Sequence, residues 1–268
     1  MSAQLEHFGK LAVRAFDDRE SMGKASADHV VKIIQQVLKV KDTVNIIFAA
    51  APSQNEFLDH LVKSRDVDWS RVVGFHMDEY IGLPPTSDQF FGLFLQNHLF
   101  SRLSMKAVHL FDSQASDPLM ECSRYEALLR LNPPDLACMG IGENAHIAFN
   151  DPPVADFNDK RLVKIAELDV PCRQQQVNDG CFPTIADVPP TAFTLTVPAL
   201  MAATYLSIVV PTVRKAKAIH DTLTAEITTA VPASIMRTHP NSVLFLDSGS
   251  ATMLPNRVAH AAGKTHTA

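Results

Sequence analysis

Short apolar runs alternate along the chain with stretches whose apolar residues recur at helical spacing. Val30, Val31, Ile33, Ile34, Val37 and Leu38 line one face of a helix predicted over residues 26–40. The apolar run 44–49 follows as a buried strand. Residues 54–64 then read as a helix with Phe57, Leu58, Leu61 and Val62 on its inner side. The same pattern predicts strands at 72–76, 107–110, 136–139, 162–165, 192–196, 205–210 and 243–246, and helices at 88–99, 119–131 and 213–222. Strands alternating with helices predict an α/β fold, a mostly parallel sheet with helices on both faces.

Glycine and proline cluster between these segments, at 82–85, 140–142, 152–153 and 189–190, and no repeat or linker-like stretch interrupts them. One domain over residues 1–268 is therefore expected, with the small, polar segment 256–268 fraying. A chain of 268 residues that is 46% hydrophobic can bury a core of that size. The net charge of −5, without a block of like charges, argues against nucleic acid as a partner. Cys122, Cys138, Cys172 and Cys181 form no Cys-x-x-Cys pair and read as reduced thiols, with no structural zinc. No signal-like start and no apolar stretch of membrane-spanning length is present, so a cytoplasmic protein with no membrane partner is expected.

In a parallel α/β sheet, ligands bind beyond the carboxyl ends of the strands. Four segments qualify: 49–54, 77–84, 140–151 and 211–215. In the third, Gly140 and Gly142 permit a tight turn and close backbone approach, and His146 lies near Asn144, Asn150 and Asp151. Such a histidine can be held in one tautomer and pass a proton near neutral pH. A loop histidine with local hydrogen bonds fits the same spacing. Asp78 and Glu79 directly follow a strand. A buried carboxylate there is a candidate base for a carbon-bound proton, and a helix cap or surface turn is the other reading. In the first segment, Ala50, Ala51 and Ser53 present backbone N–H groups at a helix start, an arrangement suited to phosphate or to plain capping. Lys215 is a candidate cation for the same anion, or a surface lysine.

Two long segments carry a resemblance. Residues 72–84, with Phe75-His-Met-Asp-Glu-Tyr-Ile-Gly-Leu83, and residues 140–152, with Gly140-Ile-Gly-Glu-Asn-Ala-His-Ile-Ala-Phe-Asn-Asp-Pro152, resemble the glucosamine-6-phosphate deaminase/isomerase family, which is related to the 6-phosphogluconolactonases. Residues 214–219 and 238–247 fit as well, so the resemblance spans nearly the whole chain. It implies a Rossmann-like fold and conversion of an amino-sugar phosphate to a ketose phosphate and ammonia, with no metal or organic cofactor. It assigns carbon-proton transfer to Asp78 and ring opening to His146, with acidic partners. It assigns phosphate binding to the first strand–helix loop, a later arginine and Lys215.

Four departures stand out. Asn144 replaces an acid beside the histidine, and Asp151 is one methylene shorter than the family's Glu. Ala49-Ala-Ala-Pro-Ser53 replaces a Thr-Gly-Gly-Thr-Pro loop. Gln176 stands at the phosphate arginine, with Arg173 one helical turn earlier as the candidate to compensate. A hexosamine-phosphate deaminase is the leading expectation, with Glu79 counted among the substrate-binding residues. A lactone hydrolase, another sugar-phosphate isomerase and a non-catalytic sugar-phosphate sensor are the alternatives. The expected partner is a small sugar phosphate, and self-association as a symmetric oligomer is compatible with the class.

Overall fold

The computed structural model describes residues 5–178 and 180–254. The segment expected to fray, 256–268, lies outside the described residues. The chain begins with β1 (Leu5–Phe8) and β2 (Leu11–Ala15), an antiparallel pair. It continues through α1 (Arg19–Leu38), β3 (Val44–Phe48), α2 (Asn55–Leu61), β4 (Val72–His76), β5 (Asp78–Tyr80), α3 (Phe91–His98) and β6 (Ala107–His109). Then come α4 (Pro118–Leu131), β7 (Leu136–Met139), β8 (Val163–Glu167), α5 (Val170–Asn178), β9 (Thr191–Leu195), α6 (Val197–Met201), β10 (Tyr205–Val210), α7 (Ala216–Thr224) and β11 (Ser242–Leu246).

The main sheet has the order β1-β2-β11-β10-β7-β3-β4-β6, and every pairing after β1–β2 is parallel. Its central strands are buried on both faces, so they are continuous apolar runs rather than alternating ones. Successive side chains still point to opposite sides. In β3, Ile47 enters one core with Tyr125 of α4, Leu200 of α6 and Ile219 of α7. Ile46 and Phe48 enter the other with Ile34 of α1, Leu58 of α2 and Leu95 of α3. The two cores are the physical form of helices on both faces, and each fully buried Ile or Phe contributes roughly 1.5–3 kcal/mol. No helix among the described residues is long and apolar enough to cross a membrane.

The strands expected at 162–165 and 192–196 do form, but not in the parallel sheet. As β8 and β9 they make a separate antiparallel sheet with β5, in the order β5-β9-β8. Apolar periodicity reports that a segment is extended, not which partner it takes. Asp78–Tyr80, for which a helix cap or surface turn was the alternative to a catalytic carboxylate, forms a short edge strand. Helix α1 starts at Arg19, ahead of the predicted residue 26, because Asp18 caps it: Asp18 Oδ1 accepts from Ser21 N at 2.7 Å. Gly23 lets α1 lie against α2, since a Cβ there would stand 2.5 Å from Glu56 Cβ.

Tyr125 ties α4 to the end of β4. Its ring stacks on Phe111 at 3.7 Å, its hydroxyl lies 2.8 Å from His76 O, and it accepts from His76 N at 3.1 Å. Tyr125→Phe should lower the unfolding free energy by about 1–2 kcal/mol, as buried backbone groups lose a partner. Urea denaturation of the two proteins measures it.

Candidate active site

Chain order explains where the crevice lies. From β3 the strands proceed through β4 to β6 toward one edge, while β7, β10 and β11 proceed toward the other. The order reverses between β3 and β7, and a crevice opens at the carboxyl ends of those strands. A cavity there is lined by residues 49–53 after β3, Met77 and Asp78 after β4, Gly140–Gly142 and His146 after β7, and Pro211, Thr212, Arg214 and Lys215 after β10. All four segments singled out in the sequence meet in it.

Asp78 and Glu79 are adjacent in a strand, so their side chains leave on opposite faces. Asp78 lines the cavity and is only 8% exposed. Burial, reinforced by the neighbouring charge of Glu79, pushes its carboxyl well above the usual range. Glu79 is fully buried and does not line the cavity. Its carboxylate accepts from the backbone N–H groups of Tyr80, Phe91 and Gly92, at 2.9, 3.2 and 2.8 Å. The last two belong to the first turn of α3, so Glu79 satisfies a helix start and is not placed to touch a ligand. That corrects its expected substrate-binding role.

His146 sits on a loop under backbone tension. Ala145 and Ala148, flanking it, have φ of 64° and 49°. Such left-handed residues concentrate at functional sites. The imidazole lies flat against Gly142, where a Cβ would come within 2.3 Å of the ring. This is the physical need for glycine there. His146 Nδ1 is 2.8 Å from Asp151 Oδ1. Asp151 is fully buried. Burial opposes its charge, but the imidazole's charge and hydrogen bonds with His146, Asn144 and Cys172 outweigh it and hold the carboxyl below its usual range. Asn144 does this from the side: its Nδ2 donates to Asp151 Oδ1 at 2.8 Å, and its Oδ1 accepts from His146 N at 3.1 Å. The amide therefore braces the carboxylate and the loop, and Asp151 supplies the charge next to the ring.

Ala50, Ala51, Ser53 and Lys215, the residues expected to bind an anion, are all on the cavity wall. Gln54 ties the first loop to β10, donating to Ser53 Oγ at 3.1 Å and Val209 O at 3.2 Å. Lys215 is 8% exposed and follows Thr212, which has φ 81°. The Asp247 carboxylate holds that strained residue, accepting from Thr212 N at 3.0 and 3.1 Å. Gln176 reaches the cavity from α5, but Arg173 does not. Arg173 Nη2 donates to Ile185 O at 2.6 Å and Val188 O at 2.9 Å, fastening α5 to the turn after it. It is not placed to compensate for the arginine absent at 176.

The sequence pattern of the glucosamine-6-phosphate isomerases/6-phosphogluconolactonase family matches residues 17–245. The chain belongs to this family. The glucosamine-6-phosphate deaminase of Lactobacillus delbrueckii subsp. bulgaricus is 33% identical over 233 residues, covering 87% of this chain and 95% of that protein. That of Bacillus cereus is 31% identical over 228 residues, covering 85% of each. Among solved structures, a monomeric glucosamine-6-phosphate deaminase superposes with a TM-score of 0.81 at 22% identity, over 90% of this chain and 99% of that one. The 6-phosphogluconolactonase of Thermotoga maritima does so with a TM-score of 0.73 at 22% identity, over 89% and 100%. These two establish the fold.

Within this family's crevice the chain carries two further cations, one of them, Arg19, outside every segment that the sequence singled out. Arg19 and Arg214 line the cavity, with Gln175, Phe91 and Phe149. Arg19 donates to Pro52 O at 3.0 Å and to Glu56 Oε2 at 2.7 Å, beside the first loop. Recognising β2 as a strand would have found Arg19, since it follows that strand's carboxyl end. Arg214 lies beside Lys215 and 3.7 Å from Glu143.

Asp78 should cost the folded protein stability at neutral pH. Its carboxyl is raised on folding, so the contribution is fully favourable below the unfolded value of about 3.9 and is lost as pH climbs toward the raised one. Asp78→Asn should therefore raise the Tm at pH 7, and the gain should vanish below about pH 4. Thermal melts across that range test the sign.

Proposed function

We propose that this protein isomerises and deaminates a hexosamine 6-phosphate, giving a ketose 6-phosphate and ammonia in amino-sugar breakdown. The observation that carries the reading is a buried carboxyl, Asp78, shifted toward a general base's range and sharing one cavity with His146 and Lys215. The deaminases at 31–33% identity over most of the chain support the same substrate class.

In this reading the phosphate rests on the 50–53 loop and Lys215, which fixes the sugar's distance from the two acid–base groups. His146 donates a proton to the ring oxygen as the C1 hydroxyl gives one up, and the ring opens to an aldehyde. Asp151 stabilises the imidazolium that forms between these transfers. Asp78 then removes the C2 proton, the C2–H electron pair becomes the C1–C2 double bond of an enolamine as O1 takes a proton, and Asp78 returns its proton to C1 as the nitrogen gives one up, leaving a C2 imine. Water adds at C2 and ammonia leaves. Aldehyde, imine and ketone follow in sequence with no net redox change, so no cofactor is needed. A cytoplasmic single-domain enzyme, with a sugar phosphate as partner and no nucleic acid, completes the reading.

Lactone hydrolysis makes no use of a base aimed at a carbon-bound proton, so Asp78 separates the two chemistries. Asp78→Asn should reduce kcat for ammonia release from glucosamine 6-phosphate by about 10²–10⁴-fold with KM little changed. Turnover of 6-phosphogluconolactone that survives the substitution would establish the hydrolase instead. Lys215→Met should raise KM for the phosphorylated sugar by about tenfold or more, since a buried charge-assisted contact of roughly 1.5–3 kcal/mol is removed. Steady-state kinetics with ammonia and ketose assayed separately measures both.

A further inference from the structure

Behind the imidazole lies a third group that the proposed chemistry does not use. Cys172 of α5 is 1% exposed. Its Sγ, His146 Nδ1 and a carboxylate oxygen of Asp151 lie within 4.8 Å of one another, the one such cluster among the described residues. All three side chains are buried. Asp151, with no exposed surface, is the hub of the cluster: His146 Nδ1 stands 2.8 Å from its Oδ1, and the Cys172 thiol hydrogen-bonds its carboxylate. An imidazole, a carboxylate and a thiol converging in one buried place form a donor set that a metal ion can take.

We propose that His146, Asp151 and Cys172 form a three-ligand site for a thiophilic divalent cation of the zinc class, which switches the enzyme off. An imidazole nitrogen, a thiolate and a carboxylate oxygen suit Zn²⁺ or Co²⁺, and disfavour Mg²⁺ and Ca²⁺, which take oxygen ligands. In a tetrahedral zinc site with bonds of about 2.0–2.3 Å, donor atoms stand roughly 3.3–3.8 Å apart, so the His146–Asp151 pair at 2.8 Å opens slightly and the wider separations, within 4.8 Å, close. The fourth position is left to water. On binding, metal–sulfur and metal–nitrogen bonds form, the Cys172 thiol proton leaves to solvent, and His146 binds as the tautomer protonated at Nε2, any Nδ1 proton leaving to solvent as well. Nothing is oxidised or reduced. The ion would occupy the Nδ1 position and draw Asp151 to itself, so His146 could no longer cycle through its imidazolium. Inhibition would follow from lost acid–base capacity and not from a blocked phosphate site, and it would be non-competitive with substrate.

The direct test is a Co²⁺ titration of the purified enzyme followed by absorption. A thiolate-to-cobalt charge-transfer band reaching its limit at one equivalent is expected, together with non-competitive inhibition by Zn²⁺ that a chelator reverses. Cys172→Ser should abolish the band and weaken Zn²⁺ binding by more than about 100-fold, because loss of an outer-shell partner alone costs about 10–100-fold. Cys181→Ser should leave the band in place. Absence of a band, or a band that survives Cys172→Ser, overturns the proposal. Should the serine variant not fold by circular dichroism, X-ray absorption of the zinc-loaded wild type decides. One sulfur with nitrogen or oxygen neighbours supports the site, and zero or two sulfurs refutes it. None of these binding readouts depends on which sugar the enzyme turns over.

Discussion

The reversal of strand order between β3 and β7 is the constraint from which the rest of this molecule follows. The chain leaving β3 turns toward the core shared by α1 and α2, and the chain leaving β7 turns toward the opposite one. Two neighbouring strands thus send their connections apart, and no backbone covers the gap between their ends. Four loops border that gap. Each supplies one kind of group to it: backbone N–H groups and a hydroxyl, a carboxyl, an imidazole and a cation. Their separation in the chain, from residue 49 to residue 215, does not matter once the parallel register sets their strand ends side by side.

Within the crevice, two aspartates are driven in opposite directions by their surroundings. Asp78 has burial and a like charge against it and is pushed toward the neutral acid. Asp151 is as deeply buried, but a positive partner and an amide donor compensate, and it stays ionised. Pairs of carboxyls whose environments separate them in this way commonly divide acid–base work between them. The separation also accounts for the tolerance of Asn144 at a position where relatives use an acid. Its amide satisfies Asp151 and the loop backbone at once, and the charge next to the ring comes from Asp151 alone.

Much of this was legible in the sequence. The central strands β4, β7 and β10 were read to the residue, because a strand buried on both faces is a continuous apolar run. The four strand-end segments followed from the same reading, and so did the cavity they line. What periodicity did not carry was partnership. Strands β8 and β9 look like core strands by composition, and only the folded chain shows them pairing with β5 in a second sheet. Short elements with mixed polarity, such as β1 and α5, carry too few apolar positions to show a period. Glu79 and Arg173 were misassigned for a related reason. A charged residue near a site is visible in sequence, but whether it faces the ligand or a helix start depends on which side of a pleat or helix it occupies. Arg19 was overlooked because its strand, β2, was overlooked.

Thr212 is a β-branched residue in a left-handed conformation, a cost of about 1–3 kcal/mol that must be met locally. The Asp247 carboxylate meets it, and Asp247 follows β11 at the far end of the chain. Lys215 therefore owes its position to a residue that does not line the cavity. The closing strand acts as the clamp on a cocked lever, with the lysine at the lever's tip. Through that one pair of hydrogen bonds, the position of Lys215 is tied to the seating of the last described strand.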